Sequence, residues 1–588
     1  MIGSNRIGKL KERILSEQVS ERLVAEIEKS TGRSDFFTVF LSICNKKERA
    51  RVFHGSGNTL SAAWGNAEKR LSEYQKKQVI KKKPYAAAWV KADIVTYFEE
   101  ISTVDLNKIV VKYQWANFAR IGLSFDKNFS RAFIEAEVNG NKMLDYNYSQ
   151  DDLTLGNVNY DSNLINLDNI NSYLKSYYGM PPISETPEKI IVFTARCFFC
   201  DESDSIHELY SDNMDYGRRR IDLVDDSVVN EVIVGASEYL VKLIDNSGQF
   251  TYGYFPIFGT LIKGYNILRH ASTLWSIINL YRISGDNSLI PKLEKSIDYM
   301  NGYIEHEDED TAYLVEKNAN EIKLGANGVA IIMFTEYMDV FKTDKYIDMV
   351  RKLANGILKL QDPESGKYYH VLNYPDYSKK EEFRIIYYDG EATFALARAY
   401  SCTKDEKYLD CAKAAVENFI REDYTVHRDH WVAYSLLEVT KYVSDVRYYE
   451  FALRNIENNL EGIYQRATSF HTYLEMLMTG WQTYQRAIKE GIDSDYIKGY
   501  DPTRFAQTIY HRARHMLSGY FYPEFAMYMK FPDSVAGGFH VRHHNYRVRI
   551  DDVQHFIGGY YFYSVYYNEI RQHLTEQFIK SLDNSEAL

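Results

Sequence analysis

Charged side chains recur just before apolar helical segments in the last two thirds of the chain. Asp389 and Glu391 precede the apolar run ATFALARAY, and Asp429 and His430 precede WVAYSLLEV. Carboxyl and imidazole groups are the side chains that most often move protons in enzyme sites. The spacing predicts general acid and base chemistry, with the candidate catalytic residues Asp389, Glu391, Asp429, His430, Asp551 and Asp552.

A second group of polar or aromatic residues lies at equivalent points of the same segments. Arginine can hold a developing negative charge, and tryptophan can stack on a flat ring. Burying so many polar groups around one axis without a ligand would be costly, which favours a shared site. The candidate substrate-binding residues are Arg269, His270, Asn327, Trp431, His471, Glu475, Arg549, Gln554 and His555.

Taken singly, each of these residues also has a structural explanation. Asp389 or Asp551 would serve as a helix N-cap, His270 as a hydrogen-bonded core histidine, and Trp431 as packing. The repetition of polar residues across successive units, rather than any one of them, indicates a functional centre.

The helical segments that carry these residues form an internal repeat. Each unit is an apolar helix, a short turn containing Asp, and a second, amphipathic helix, as in WVAYSLLEVTKYVSDVRYYEFALRNIENN. Apolar first helices should be enclosed by neighbours and striped second helices should face outwards. We expect inner helices to begin near Ala271, Val329, Ala392 and Trp431, and the turn aspartates Asp286, Asp344, Asp405 and Asp445 to cap the second helices.

The chain divides into three regions on this pattern. Residues 1–215 mix β-rich runs with helical ones and read as an α+β domain without an assigned role. Residues 225–575 hold material for about six helical hairpins, which can close into a ring without exposed ends. Residues 576–588 are left as a C-terminal tail.

The repeat resembles the six-hairpin α/α-toroid superfamily of glycoside hydrolases, lyases and sugar epimerases, at the level of architecture. The segment LQDPESGKYYH at 360–370 is similar to the return after an outer helix that is common in those rings. The resemblance covers roughly residues 225–575 and implies an (α/α)6-type toroid there, following the α+β domain that the pattern of residues 1–215 predicts. Such rings also host isoprenoid chemistry and peptide cyclisation, so the fold alone does not choose a reaction.

Two reactions fit the candidate residues once that resemblance is accepted. Hydrolysis of a glycosidic bond by paired carboxylates in the centre of the toroid is the first hypothesis. A sugar epimerase or lyase, with His270, His430, His471 and His555 as bases and Arg269 as the enolate partner, is the second. A non-enzymatic binding or scaffold toroid, or a cyclase of isoprenoids or peptides, is a third hypothesis.

Composition restricts the partners of the chain. The net charge is −11, and the basic runs are short, so we expect no nucleic-acid partner. No apolar run is long enough to span a membrane, and the first residues lack the apolar core of a signal peptide. We therefore expect a cytoplasmic protein that acts on a small molecule or an oligosaccharide; its oligomeric state stays open.

Metal and cofactor motifs are weak. The five cysteines form no paired framework, and Cys197-Phe-Phe-Cys200 is not followed by a second pair. A zinc site that uses His427, His430, His543 or His544 would lack cysteine partners and a His-Glu-x-x-His helix. We predict neither a metal nor a cofactor.

Overall fold

The computed structural model of the protein describes residues 2–112, 118–145, 164–211 and 215–584. Its N-terminal part contains an antiparallel sheet with the strand order β2-β1-β3-β6-β4-β5, and β7 pairs with β6. The strands are β1 Phe37–Cys44, β2 Arg51–Gly57, β3 Trp89–Ser102, β4 Gly122–Ser124, β5 Ala132–Phe133, β6 Lys189–Cys200 and β7 Ile206–Glu208.

Helices cover one face of this sheet. The third helix packs on β1 and β2 through Leu60, Trp64 and Leu71. A Cβ at Gly55 would lie 2.2 Å from the backbone nitrogen of Ala67, so β2 and this helix can approach only because Gly55 has no side chain. The N-terminal helices are α1 Ile2–Ile14, α2 Glu17–Thr31, α3 Leu60–Ile80, α4 Thr103–Lys112, α5 Glu135–Gly140 and α6 Leu167–Tyr173.

Six helices, hereafter the inner helices, form the centre of the C-terminal part. Each packs against the next in chain order, and the last packs against the first, so the domain is toroid-like. Three of the four predicted starts lie about one turn too late, because the polar residues placed before these helices belong to their first turns. The inner helices are α8 Ile267–Ser284, α10 Leu324–Phe341, α12 Tyr387–Thr403, α14 His430–Val439, α17 Thr472–Glu490 and α21 Ile550–Arg571.

A second set of helices packs around the inner ones. The inner helix α10 is buried continuously from Leu324 to Met338, whereas its follower buries only a stripe that includes Val350, Leu353 and Ile357. This difference agrees with the prediction that apolar first helices lie inside. The outer helices are α7 Asp226–Lys242, α9 Ile290–Asn301, α11 Ile347–Lys359, α13 Glu406–Arg421, α15 Val446–Glu457 and α19 Pro502–Met516.

Short strands lead directly into two of the inner helices. Lys323 ends one strand directly before α10, and Arg549 ends another directly before α21. The strands are β8 Gly253–Phe255, β9 Thr260–Leu261, β10 Ile304–His306, β11 Ala312–Glu316, β12 Glu321–Lys323, β13 Val371–Asn373, β14 Lys379–Glu381 and β15 Val548–Arg549. The remaining α-helices are α16 Leu460–Tyr464, α18 Asp495–Lys498, α20 Pro523–Ala526 and, in the region left as a tail, α22 Glu576–Asn584.

Three of the four predicted turn caps are confirmed. The carboxylates of Asp286, Asp405 and Asp445 each accept a backbone N–H at the start of the following helix. The prediction for Asp344 is wrong, because the N-cap of α11 is Tyr346 and has no side-chain cap. Asp344 instead accepts the N–H of Ile347 through its backbone oxygen.

This difference gives a matched test of capping. We expect Asp405→Ala to lower the free energy of unfolding by about 1 kcal/mol, because it removes an acceptor from the N-terminus of α13. Asp344→Ala should leave the free energy of unfolding within about 0.5 kcal/mol of the parent. Urea denaturation followed by circular dichroism measures both, and equal losses in the two variants would contradict the assignment.

The N-terminal sheet and the helical domain share one hydrophobic core. Phe40 of β1 and Tyr528, which follows α20, belong to the same buried cluster as the inner helices. Arg49 connects the N-terminal part to the helical domain. Its guanidinium donates to the backbone oxygens of Tyr528 at 2.8 Å, Gly140 at 3.0 Å and Ile257 at 2.8 Å. No helix within the described residues is long and apolar enough to cross a membrane.

Candidate active site at the starts of the inner helices

The first turns of α14 and α17 and the second turn of α21 bring two histidines and a glutamate together. His555 Nδ1 lies 2.7 Å from Glu475 Oε2, and the hydroxyl of Tyr434 donates to Glu475 Oε1 at 3.0 Å. His430 Nε2 is 3.8 Å from Glu475 Oε2, and the rings of His430 and His555 are 5.0 Å apart at 83°. A buried carboxylate therefore holds one imidazole firmly beside a second.

The two imidazoles have opposite electrostatic environments. Burial lowers the pKa of His430 far below its usual value, and the nearby His555 and His471 lower it further. Burial acts in the same direction on His555, but the charge and hydrogen bond of Glu475, with the charges of Asp551 and Asp552, outweigh it and raise the pKa of His555. Within the described residues neither ring nitrogen of His430 has a hydrogen-bond partner. An imidazole whose burial favours the neutral form thus lies beside one that a carboxylate favours in the protonated form.

A strongly charged cluster lies beside these histidines. Asp552 accepts from Arg549 at 3.1 Å and from Arg547 at 3.4 Å, and His471 Nδ1 is 4.0 Å from its Oδ1. Burial works against ionisation of Asp552, but His471, Arg549 and Arg547 together hold its pKa below the usual value. Burial lowers the pKa of His471 to about 3. Asp552 is therefore an anion held by two arginines.

Asp551 lies at the more accessible edge of the cluster. Its Oδ2 is 3.0 Å from both Arg269 Nε and Arg549 Nη2, and Arg269 also donates to the hydroxyl of Tyr252. Burial and the charge of Asp552 raise the pKa of Asp551. The side chain of Arg269 is 30% exposed, whereas those of Glu475 and Asp552 are fully enclosed. The cluster consequently opens to solvent on the side of Arg269.

Glu391 and Asp429 form a buried pair of carboxyl groups. Asp429 Oδ1 accepts the N–H of Trp431 at 2.8 Å as the N-cap of α14, while its Oδ2 and Glu391 Oε2 have no hydrogen-bond partner within the described residues. Burial and the charge of Asp429 raise the pKa of Glu391, and burial raises that of Asp429. Gly325 makes room for Glu391, since a Cβ there would lie 1.9 Å from its Oε2.

Asp389 points away from Glu391. Residues two apart on a helix are separated by about 200°, so the first turn of α12 presents them on opposite sides. Asp389 Oδ1 accepts from His370 Nε2 at 3.1 Å, and its Oδ2 accepts from the hydroxyl of Tyr424 at 3.1 Å. The two residues are therefore placed in different environments.

His430, Glu475 and His555 are hereafter called the histidine cluster. Three predicted binding residues lie outside it. His270 is tied to the Tyr265 hydroxyl at 2.6 Å and to the Ser296 carbonyl at 2.9 Å. Asn327 accepts from the N–H of Leu314 and donates to the carbonyl of Lys323, which closes the start of α10. Gln554 faces a small separate cavity lined by Trp275 and Tyr434.

Trp431 lies beside the cluster. Its ring is 6.2 Å from that of His555 and 6.0 Å from that of Trp275. It is buried, so in this conformation it contributes an aromatic wall rather than an open platform.

The same residues could hold a metal ion. Ligand atoms of His430, Glu475 and His555 all lie within 4.8 Å of one another. Two imidazoles and one carboxylate make a ligand set that zinc accepts in catalytic sites. The chemistry of the cluster thus offers proton transfer or metal binding through the same side chains.

Sequence reasoning missed several groups that complete the site. Tyr434 lies one turn after His430 on the same face of α14, a spacing that marks it as a neighbour. Arg547 precedes Arg549 by two residues, and alternation along the extended segment would have placed both on one face. His370 and Tyr424 come from connections rather than from helix starts, so the repeat gave no signal for them.

Comparisons with known proteins give structural likenesses at low similarity. No family model and no curated protein sequence matches the chain. A D-mannose isomerase structure is 11% identical, with 59% of this chain and 98% of that chain covered at a TM-score of 0.44. Cellobiose 2-epimerase from Bacillus thermoamylovorans is 12% identical, with 50% and 88% covered at 0.41. An unsaturated glucuronyl hydrolase specific for heparin is 12% identical, with 58% and 99% covered at 0.41.

Proposed function

We propose that the chain is a carbohydrate-active enzyme whose helical domain, an (α/α)6-type toroid over about residues 225–575, moves a proton on the carbon next to a sugar carbonyl. This reaction is that of an epimerase or isomerase. The observation that carries the proposal is the adjacent pair His430 and His555, whose pKa values are shifted in opposite directions. Paired titratable groups with divergent pKa values are the mark of an assigned base and acid.

The roles follow from the environments of the two rings. His430 is neutral and takes the proton from the carbon beside the carbonyl. His555, protonated and held by Glu475, donates its proton to the carbonyl oxygen, so an enediol forms without a free enolate charge. His430 then returns a proton to one of the two carbons of the enediol, and His555 takes back the hydroxyl proton from the other carbon, which regenerates a carbonyl sugar and both starting side chains. Proton number is conserved, and no oxidant is needed.

The surrounding groups suit a polyhydroxylated substrate. Arg269 and Arg549 at the open edge can donate to hydroxyl or carbonyl oxygens, and the carboxylate of Asp551 between them can accept from a hydroxyl. Trp431 and Trp275 form a buried aromatic wall beside the histidines. This combination supports a sugar rather than an apolar substrate.

A glycoside hydrolase is the second candidate. The observation that favours it is Glu391, a buried carboxyl group whose raised pKa keeps it protonated and whose Oε2 has no partner in the described part of the chain. Such a group could protonate a glycosidic oxygen, with Asp551 or Asp429 as the second carboxylate. The proposal for proton transfer at carbon is preferred because the histidine pair supplies both an acid and a base.

Isotope exchange separates the two candidates. The protein should be incubated in D2O with D-mannose, D-glucose and cellobiose, and 1H NMR should follow the hydrogen at C2 of the reducing unit. We expect that signal to fall with time as deuterium enters from His430, whose ring exchanges its proton with solvent, and an isomeric sugar appears. Heat-denatured protein provides the control for spontaneous exchange.

Other outcomes would contradict the proposal. Release of new reducing ends from oligosaccharides, with no deuterium at C2, would assign the hydrolase reaction instead. Absence of both exchange and cleavage across these sugars and their manno- and gluco-oligosaccharides would remove the carbohydrate proposal altogether.

A further inference from the structure

A second cavity lies beside the histidine cluster, at the first turn of α12. It encloses about 310 Å³, within the size range of small-molecule sites, roughly 300–1,000 Å³. Its walls come from the connection between α11 and α12 and from the segment after α13. We call it the flanking pocket; its lining includes Ser365, Lys367, Tyr368, His370, Phe383 and Tyr424.

The back wall of the flanking pocket is a fixed polar network. His370 Nδ1 accepts the backbone N–H of Arg384 at 2.9 Å, so its proton resides on Nε2 and is donated to Asp389 at 3.1 Å. The Tyr424 hydroxyl binds the other oxygen of Asp389. Both oxygens of Asp389 are thereby engaged, and the network can position a ligand but has no free acid or base.

The rim of the pocket combines an exposed aromatic ring with charged groups. Phe383 is 61% exposed, and its ring lies 4.8 Å from that of His370. Lys367 and Glu422, whose charged atoms are 3.4 Å apart, and Glu382 stand around it. A sugar has apolar C–H faces and polar hydroxyl edges. The exposed ring of Phe383 can pack on such a face, and the charged groups beside it can bind the hydroxyls.

The flanking pocket and the histidine cluster share a wall. The first turn of α12 presents Asp389 to the pocket and Glu391 to Asp429, the residue before His430, and the charge of Asp389 contributes to the raised pKa of Asp429. Gly390 lies between them and packs so closely on Trp431 that a Cβ would be 2.6 Å from its backbone carbon. The first turn of α12 and the Trp431 backbone therefore separate the flanking pocket from His430.

We propose that the flanking pocket binds a second, non-reacting glycosyl unit, so that the substrate is an oligosaccharide rather than a monosaccharide. Phe383 stacks on this unit, and Lys367 and Glu422 bind its hydroxyl groups. The proposal rests on the proposed carbohydrate function. It adds a binding site built from connections, distinct from the acid and base residues.

Binding of unreactive sugars tests this site without relying on turnover. Borohydride-reduced manno- and gluco-oligosaccharides of one to four units lack a carbonyl, and calorimetry of the full chain measures their dissociation constants. We expect affinity to rise with length, and Phe383→Ala to weaken binding of the longer members by roughly tenfold while leaving the one-unit alditols unchanged. Phe531→Ala, which removes another exposed phenylalanine beside Lys530, is the matched control and should bind as the parent does.

The results distinguish this proposal from the proposed reaction. Equal affinities for all lengths, or a Phe383→Ala variant that binds like the parent, would overturn the flanking pocket as a sugar site. Length-dependent binding that Phe383→Ala weakens, without deuterium exchange at C2, would retain the pocket and refute the proton-transfer reaction. Deuterium exchange at C2, together with oligosaccharide affinity that Phe383→Ala does not change, would retain the proton-transfer reaction and refute the flanking pocket as a sugar site.

Discussion

Replacing His430 with asparagine is expected to lower turnover by roughly two to four orders of magnitude, the usual contribution of a general base. The fold should be retained, because neither ring nitrogen of His430 has a hydrogen-bond partner in the described residues. Steady-state rates of isomer formation measure the loss, and thermal unfolding measures the stability. His306→Asn, at an exposed position on β10, is the matched control and should retain full turnover.

A metal-dependent site would also lose activity when His430 is replaced, so metal dependence must be measured separately. We expect dialysis of the parent protein against a chelator to leave turnover unchanged. Loss of activity on chelation, with recovery on adding zinc, would assign His430, Glu475 and His555 as metal ligands and contradict their roles as acid and base.

Replacing Glu475 with glutamine is expected to move the alkaline limb of the pH–rate profile to lower pH. His555 must be protonated to act as the acid, so activity falls as pH rises through its folded pKa. Glu475 raises that pKa more than Asp551 or Asp552 does; without the charge of Glu475, burial is opposed by those two aspartates alone, and the pKa of His555 falls. Turnover at pH 8 should fall by roughly a hundredfold and recover in part at lower pH.

The control for this variant is another buried glutamate on the same helix layer. Glu438, near the opposite end of α14, binds Lys441 and Tyr442, and Glu438→Gln should leave the pH–rate profile unmoved even if the protein becomes less stable. If Glu475→Gln leaves the alkaline limb of the pH–rate profile in place, His555 is not the titrating acid.

Periodicity and turn chemistry predicted the helical repeat well because both are local. An apolar helix followed by a striped one requires only the residues within one unit, and Asp405 and Asp445 cap the helices that immediately follow them. Asp344 has the same position in its turn, yet the chain reaches α11 through Tyr346 instead. The tertiary path of a turn is not encoded in the turn residues alone.

The candidate site was predictable as a set of helix starts but not as a set of contacts. Asp389 and Glu391 looked like a pair in the sequence, whereas the helical rotation between them sends Asp389 towards His370 and Glu391 towards Asp429. The hydrogen bond between His555 and Glu475 joins residues 80 positions apart. Which side chain of each first turn faces which neighbour depends on the rotation of each helix, and no local pattern reports it.

The hydrogen bond between Arg49 and the backbone of Tyr528 affects the order in which the protein can fold during its synthesis. Arg49 and Tyr528 are 479 residues apart, and Tyr528 supplies one of the backbone acceptors that satisfy this buried guanidinium. At 5–20 residues per second, roughly 25 to 100 s separate the synthesis of the two residues. During that interval the sheet face that includes Phe40 lacks its partner surface, so the nascent chain should be a client of ribosome-associated chaperones until its last helices emerge.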